Sequence, residues 1–448
     1  MDVVIIGNGI SGITAARWIR KLSDGRVTVI SSESKYFYSR TALMYIYMGH
    51  MRHEDTKPYE DWFWDKNNID LLYGHVDAVN FKEKSICLKS GKIKAYDKLI
   101  IATGSKSNKF GWPGQDLDAV TGLYNLRDLA IMEKYSTGLD RAVIVGGGLI
   151  GIEMAEMFHS RKIPVTMLVR ETNYWDNVLP LEEAQMVAKH ILEHHIDLRL
   201  NVNLQEIIDD GNGKAEGVIV KETGEKIPCG FVGLTPGVSP NIEFLKGSGL
   251  EVNRGVLVDK YLNTNIPDVY AIGDCAELKE PPEGRKPIEA VWYTGRMMGE
   301  TCAYTICGKP IVYNPGIWFN SAKFLDIEYQ VYGNVPNVID GELDSILWQN
   351  EEKRLSVRIV FNKKLMQVEG FNLLGIRYRH EVCEKWLHEK THMDDVMKNL
   401  ALANFDPEFY RSYESQIIDV YNRKIGRQVS SQSKRGLQNV LKYLSPNK

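Results

Sequence analysis

The stretch Asp2–Gly12 constrains the chain more than any other. Val3, Val4, Ile5 and Ile6 read as a buried parallel strand, and Gly7, Gly9 and Gly12 follow at G-x-G-x-x-G spacing. Ile13, Ala16 and Ile19 then begin a helix face. Strand, glycine turn and helix in that order suit a dinucleotide pyrophosphate. The first Gly makes the tight turn, the second lets phosphates approach the backbone, and the third lets the helix pack on the strand. Free N–H groups at the helix start then face the phosphates. A second strand, Val27–Ile30, ends just before Glu33, about 20 residues past Gly12, where a ribose-binding acid is expected. Ser31 and Ser32 lie between, so the acid's position is open by a residue or two.

One such motif is weak; this chain has two. Ala142–Val145 is another buried strand, followed by Gly146-Gly147-Gly148-Leu149-Ile150-Gly151 and a helix through Ile152, Ala155 and Phe158. Val165–Val169 completes the unit, about 140 residues after the first. Gly146, Gly148 and Gly151 repeat the roles of Gly7, Gly9 and Gly12. Two dinucleotides, or one and a related nucleotide, are therefore expected. Arg170 and Glu171 follow the last strand. A carboxylate there accepts from the ribose hydroxyls of NAD, whereas an Arg favours the 2′-phosphate of NADP. Both are present; Glu171 favours NAD(H), and two solvated loop charges is the plainer alternative.

Length and composition set the frame. A chain of 448 residues suggests about two to four domains. A net charge of −3 argues against a nucleic-acid partner. No apolar run approaches the roughly 18 residues of a membrane span. The sequence enters its first strand without a basic leader, so no signal peptide and a cytoplasmic setting are expected. Six Cys, at 87, 229, 275, 302, 307 and 383, are scattered without metal-ligand spacing. Cys302 and Cys307 lie five apart in a helix and face different ways. Leu179–His195 has helical periodicity and holds His190, His194 and His195. No carboxylate or Cys completes a ligand set, so no metal is expected.

Tyr36–Gly49 is aromatic and carries one charge, Arg40, which can pair with a pyrophosphate or flank a core helix. Leu99–Ala102 is an apolar strand that ends in Thr103-Gly104-Ser105, and Trp112-Pro113-Gly114 marks a boundary. Val269–Ile272 leads into Gly273-Asp274, a carboxylate placed for a ribitol hydroxyl. Glu289–Gly299 reads as a helix start whose Trp292 and Tyr293 suit a ring system, though packing explains them nearly as well. From about residue 326 the pattern changes. Ile327–Tyr332, Ser345–Gln349, Ser356–Phe361 and Leu365–Phe371 alternate like antiparallel strands. Helices are expected at Glu381–His388, Met393–Asn399 and Glu408–Asn422. The last segment, Arg423–Lys448, holds seven Lys or Arg and no acid, with Leu437, Val440, Leu441 and Leu444 at helical spacing. It reads as a helix on its own domain, a frayed tail, or a docking helix for an acidic surface.

With these pieces placed, the chain resembles the two-dinucleotide-domain flavoprotein reductases of the pyridine nucleotide–disulfide oxidoreductase superfamily. The resemblance covers about residues 1–335 and rests on four ordered motifs: Gly7–Gly12, Leu99–Gly104, Gly146–Glu153 and Asn265–Asp274. Tyr38-Ser-Arg-Thr-Ala-Leu43 looks like the Y-S-R-P-x-L stretch of rubredoxin- and ferredoxin-reductase-type members. The resemblance implies FAD in the first domain and NAD(P)H in the second. It implies that Glu33 holds the adenosine ribose, Asp274 the ribitol, and Arg40 and Arg127 the phosphate region. Val76 would meet the adenine through its backbone. Thr103 and Gly104 would line the FAD site. Glu289, Ala290 and Val291 would lie against the flavin pyrimidine edge. Glu153 would stand where nicotinamide meets flavin, with Trp292 beside the ring system.

Two departures narrow the subclass. Disulfide reductases carry C-x₄-C, and the oxidase, peroxidase and coenzyme-A-disulfide branch one Cys, in the helix after the second strand. Tyr36–Gly49 has none. Met44-Tyr45 stands where related reductases often have Ser-Lys. The expected fold is α/β: two doubly wound, three-layer Rossmann-like domains, the second inserted in the first, plus an α+β C-terminal domain. The expected limits are 1–115 with 247–325 for FAD, 116–246 for NAD(P)H, and 326–448 for the C-terminal domain. The expected activity moves hydride from NAD(P)H to FAD and electrons on to a small redox protein of ferredoxin or rubredoxin type, in a homodimer. The alternatives are an oxidase, a quinone or other small-molecule reductase, and a slow-turnover NADH-responsive flavoprotein of the apoptosis-inducing-factor type.

Overall fold

Apolar four- and five-residue runs become central strands, because a strand buried on both faces needs no polar alternation. In the computed structural model, which describes residues 1–406, 408 and 411–431, the first motif is β1 (Asp2–Ile6), α1 (Ile10–Leu22) and β2 (Arg26–Ser31). Next come β3 (Ile69–Tyr73), β4 (Lys98–Ile101) and α2 (Leu126–Ser136). The second motif is β5 (Ala142–Val145), α3 (Leu149–Ser160) and β6 (Val165–Val169). It is followed by α4 (Leu181–Glu193), β7 (Asp197–Leu200), β8 (Phe231–Leu234), β9 (Val269–Ala271) and α5 (Trp292–Ile306). The C-terminal elements are β10 (Phe319–Phe324), β11 (Ile327–Gly333), β12 (Leu343–Asn350), β13 (Leu355–Asn362), β14 (Val368–Leu374), α6 (His380–His388), α7 (Met393–Lys398) and α8 (Glu414–Ile425).

The chain divides into two compact units. The first comprises Met1–Gly146, Met157–Val165 and Leu204–Pro315. Its main sheet is parallel, in the order β9-β4-β1-β2-β3. β9 lies far along the chain yet pairs with β4, so the polypeptide passes through the second motif and returns to the first sheet. That is a Rossmann-type domain with a second one inserted in it. β8 pairs in parallel with β5. The strand order reverses at β1, between β2 and β4, and such a switch point opens a crevice at the strands' carboxyl ends. α1 and α5 pack in parallel on this sheet. A Cβ on Gly299 would lie 2.4 Å from the Ser11 carbonyl oxygen, and one on Gly295 3.5 Å from Ile10. Met298, Cys302 and Ala303 join Ile13, Ala16 and Ile19 in the core.

The second unit comprises Gly147–Glu156, Thr166–Asn203 and Gly316–Lys448. β6 pairs in parallel with β7. The C-terminal α+β domain has one antiparallel sheet, in the order β10-β11-β14-β13-β12. Trp386, Met393, Met397, Ile417 and Tyr421 from α6, α7 and α8 close over Phe371, Ile359 and Ile346. Two expected elements shift. The last strand starts at Val368, because Asn362 Oδ1 accepts from the Lys364 and Leu365 N–H groups and turns the chain there. The last helix starts at Glu414, where the apolar stripe Ile417, Ile418, Tyr421 begins, and not at 408. Residues 409 and 410, and the Leu437–Leu444 pattern, lie outside the described residues. Among the described residues no helix is long and apolar enough to cross a membrane.

The α1–α5 seam tolerates no side chain at Gly299. Gly299→Ala places a methyl against a backbone oxygen and is expected to cost about 2–3 kcal/mol, read as a fall in the chemical-denaturation midpoint.

Candidate dinucleotide sites

The two glycine turns share one geometry. Gly7 sits at φ +115°, and a Cβ there would lie 2.0 Å from the Ala102 carbonyl oxygen. Gly146 sits at φ +122°, with the Thr235 carbonyl oxygen 2.5 Å from the same point. Each first glycine therefore lets the turn lie against the chain leaving the neighbouring strand. Gly12 is equally tight, its Cβ position 2.1 Å from the Gly7 carbonyl oxygen. Gly9 and Gly148 differ: nothing lies within 4 Å of where their Cβ would be. Backbone crowding thus explains the first glycines and Gly12. No crowding within the chain calls for a glycine at the second place, which leaves room for phosphates to approach the backbone there. Gly151 is buried in α3.

The helix ends agree. α1 starts after Gly9 and α5 after Val291; neither has a side-chain cap or an acid in its first turn. Two parallel helices thus present uncapped positive ends on the same side of the sheet, an arrangement that favours an anionic ligand.

Around the crevice in this unit lies a continuous polar network. The Glu33 carboxylate accepts from Arg40 at 2.7 and 3.3 Å, from the Leu126 N–H at 3.0 Å, and from the Tyr38 hydroxyl. Burial raises the Glu33 acid, but Arg40 and these hydrogen bonds outweigh it and hold the carboxyl below its usual range. Arg40 also donates to the Tyr124 carbonyl. The Tyr124 hydroxyl accepts from the Ser105 N–H at 2.8 Å and donates to Asp274 at 3.3 Å. Ser105 Oγ donates to the same Asp274 oxygen at 3.1 Å. Burial raises the Asp274 acid above the usual carboxylate range despite these donors. Arg127 donates to the Ser32 carbonyl at 3.0 Å, beside Glu33. Thr103 Oγ1 donates to the Asn241 carbonyl at 2.8 Å, fixing the Thr103-Gly104 turn. Val76 starts a short strand and is buried.

The structure therefore brings Gly7, Gly9, Gly12, Glu33, Arg40, Arg127, Thr103, Gly104 and Asp274 to one crevice. Tyr124 and Ser105 join them unforeseen. No local pattern marks Tyr124, whose partners Arg40 and Asp274 are 84 and 150 residues away. Glu289, Ala290 and Val291 precede α5 rather than lying inside it. The Glu289 carboxylate is held by Arg285 in a buried two-point pair at 2.7 and 2.6 Å, leaving the backbone of 289–291 as the open face. Trp292 is the first residue of α5 and is 43% exposed.

In the second unit, Tyr174 is fully buried and donates to the Gly148 carbonyl at 3.4 Å. Glu153 lies on α3; burial, with repulsion from Glu156, pushes its acid up to about 7. Lys323 works the other way and pairs with Glu156 at 2.5 Å. Arg170 Nε meets Glu171 Oε1 at 2.8 Å, with Arg170 largely exposed and Glu171 mostly covered. One expectation is corrected: Asp326, from outside the His190–His195 stretch, joins His190 and His194, so a carboxylate does complete that set.

All six Cys are free thiols. Burial pushes Cys229 up to about 12 and raises Cys275, Cys302 and Cys383 as well. Cys275 follows Asp274 but turns inward, its thiol on the Ile101 and Ile272 carbonyls.

Fold and site define a protein with two dinucleotide-binding domains. The pyridine nucleotide-disulphide oxidoreductase family matches residues 1–299, and the chain belongs to that family. Rubredoxin-NAD(+) reductase of Ectopseudomonas oleovorans is 27% identical over 378 residues, 83% of this chain and 96% of that protein. Nitrite reductase [NAD(P)H] of Bacillus subtilis is 29% identical over 280 residues, 62% of this chain; the match spans only 34% of that longer protein. The solved NAD-dependent persulfide reductase from A. fulgidus superposes with a TM-score of 0.83 at 23% identity, over 95% of this chain and 84% of that one, a likeness of fold. The chain is an FAD-dependent NAD(P)H oxidoreductase.

Two outcomes check the sites. Gly9→Val meets nothing in the protein, so the purified variant is expected to keep its far-UV spectrum and lose most of its FAD. For Glu153, folding favours the protonated acid. Its contribution is intact below about pH 4.5 and is lost as pH rises through about 7. The stability of Glu153→Gln minus that of the parent is therefore expected to grow by about 2–3 kcal/mol between pH 4.5 and 8 in urea titrations.

Proposed function

We propose that this chain carries electrons from NADH through FAD to a small iron–sulfur or rubredoxin-type protein. The carrying observation is the cysteine inventory. The segment Tyr36–Gly49, where other family members keep a redox-active thiol, contains none, and Met44 is buried there. Cys229, Cys275, Cys302 and Cys383 are buried and held as neutral thiols. A thiol relay has no nucleophile in that segment, and the two partly buried thiols, Cys87 and Cys307, lie on other elements. The rubredoxin reductase, matched over nearly its whole length, supports the same reading.

Bound FAD supplies hydride acceptance from the nicotinamide and one-electron delivery to an acceptor. The residues supply position and charge. Gly7, Gly9 and Gly12 with the start of α1 seat the pyrophosphate. Glu33 accepts from the adenosine ribose, Arg40 and Arg127 balance the phosphates, and Asp274 accepts from the ribitol. Thr103 and Gly104 form the wall opposite. The backbone of Glu289, Ala290 and Val291, at the positive end of α5, faces the ring edge that gains negative charge, with Trp292 beside it. In the second domain Gly146, Gly148 and Gly151 seat the nicotinamide dinucleotide. Glu171 accepts from its ribose, with Arg170 swung outward. Glu153, held partly protonated near neutral pH by burial, would lie near the nicotinamide and carry less negative charge there than an ordinary glutamate. The domain limits 1–115 with 247–325, 116–246 and 326–448, a homodimer and a cytoplasmic setting complete the proposal.

The test compares acceptors. NADH-driven reduction of oxidised rubredoxin or a [2Fe–2S] ferredoxin is expected to exceed oxygen consumption by about tenfold or more. Faster oxygen or quinone turnover overturns the protein-acceptor reading, and slow turnover with every acceptor favours a sensor. Glu171→Ala is expected to raise KM for NADH about tenfold and to leave that for NADPH nearly unchanged.

A further inference from the structure

α4 carries His190 in its last turn and ends at the C-cap His194, four residues on, so the two rings come to the same side of the helix end. Their ring centroids are 4.3 Å apart. β10 and β11 are joined by a tight turn in which Leu325 adopts φ +57°, and this turn delivers Asp326. Asp326 Oδ1 rests against His190 Nε2 and lies 3.7 Å from His194 Nε2. One donor atom from each of the three residues lies within 4.8 Å of the other two.

Two further observations point to a ligand. The His190 side chain is wholly buried, and among the described residues neither of its ring nitrogens makes a hydrogen bond, although Nε2 faces Asp326 and so points into the site. Glu193 Oε2 stands 4.0 Å from that Nδ1, the place of an outer carboxylate behind a metal-bound imidazole. His194 Nδ1 lies 3.0 Å from the His190 carbonyl oxygen, which can only accept, so the proton sits on Nδ1 and the Nε2 lone pair faces Asp326.

We propose that His190 Nε2, His194 Nε2 and Asp326 Oδ1 form a site for a divalent transition cation of the zinc class. Two imidazoles and one carboxylate suit zinc, cobalt or nickel, and not calcium or magnesium. Ligand atoms on one tetrahedral ion lie about 3.3 Å apart; the His194 Nε2–Asp326 Oδ1 spacing of 3.7 Å must close slightly and the direct His190 Nε2–Asp326 Oδ1 contact must open to admit an ion, both by rotation of the exposed Asp326 side chain. Asp326 is 65% exposed, leaving an entry path and a fourth position for water. Arg354 opposes the cation from 3.9 Å beyond Asp326 Oδ2, but it is also paired with Glu193 at 2.9 Å. A bound ion would clamp α4 to the β10–β11 turn. The site is independent of the flavin chemistry.

The experiment titrates EDTA-dialysed holoprotein with zinc chloride, by calorimetry and thermal unfolding, and repeats the titration with cobalt(II). One zinc per chain, a Tm rise of about 3 °C or more, and cobalt ligand-field bands to the red of the flavin absorption are expected. His194→Ala and Asp326→Ala sit at the accessible side, so both are expected to fold with an unchanged flavin spectrum and to bind zinc at least tenfold more weakly. No zinc binding by the parent protein in the titration, or equal binding by parent and both variants, overturns the proposal.

Discussion

The structure depends on backbone meeting backbone where a strand ends and a helix begins. At Gly7 and Gly146 the turn lies against a carbonyl at the end of the adjoining strand, with no room for a side chain. That contact sets where α1 and α3 start and in which direction their N–H groups point. At the first motif the open Gly9 and the uncapped start of α1 follow from it, and α5 sets a second uncapped start beside them. Two parallel helices with bare positive ends are unfavourable side by side in isolation. A bound dinucleotide, anionic at its pyrophosphate, removes that disadvantage.

The second constraint is charge in a poorly solvated crevice. Glu33, Arg40, Tyr124, Ser105 and Asp274 form one hydrogen-bonded chain across it. The two carboxylates at its ends respond oppositely to burial. Glu33 has a guanidinium and stays ionised easily, whereas Asp274 has only neutral donors and is raised. A network with acceptors at each end suits a ligand rich in hydroxyl groups along its length.

What was legible in the sequence was local. β1, the glycines, α1 and β2 lie within thirty-one residues, so the strand, turn and helix order could be read from their spacing. The second motif repeats the pattern and was equally readable. Glu33 and Asp274 stood out because each closely follows an apolar strand, β2 and β9. Tyr124 was not, since it acts only through residues brought close by the fold. The same limit applied to Asp326, which meets His190 and His194 across a long stretch of chain. The start of α8 was misplaced because polarity around residues 411–413 does not break helical spacing, while the core contact that holds the helix begins at Glu414.

The proposed electron path has a single flavin redox centre, fed by NADH and unassisted by cysteine. An anaerobic titration of the purified protein with NADH, followed at the flavin absorption band, tests it most directly. Complete bleaching is expected at one equivalent of NADH per chain, with no further uptake. Uptake of a second equivalent would reveal a second redox centre, and protein that neither carries nor takes up FAD would contradict the assignment of the first crevice.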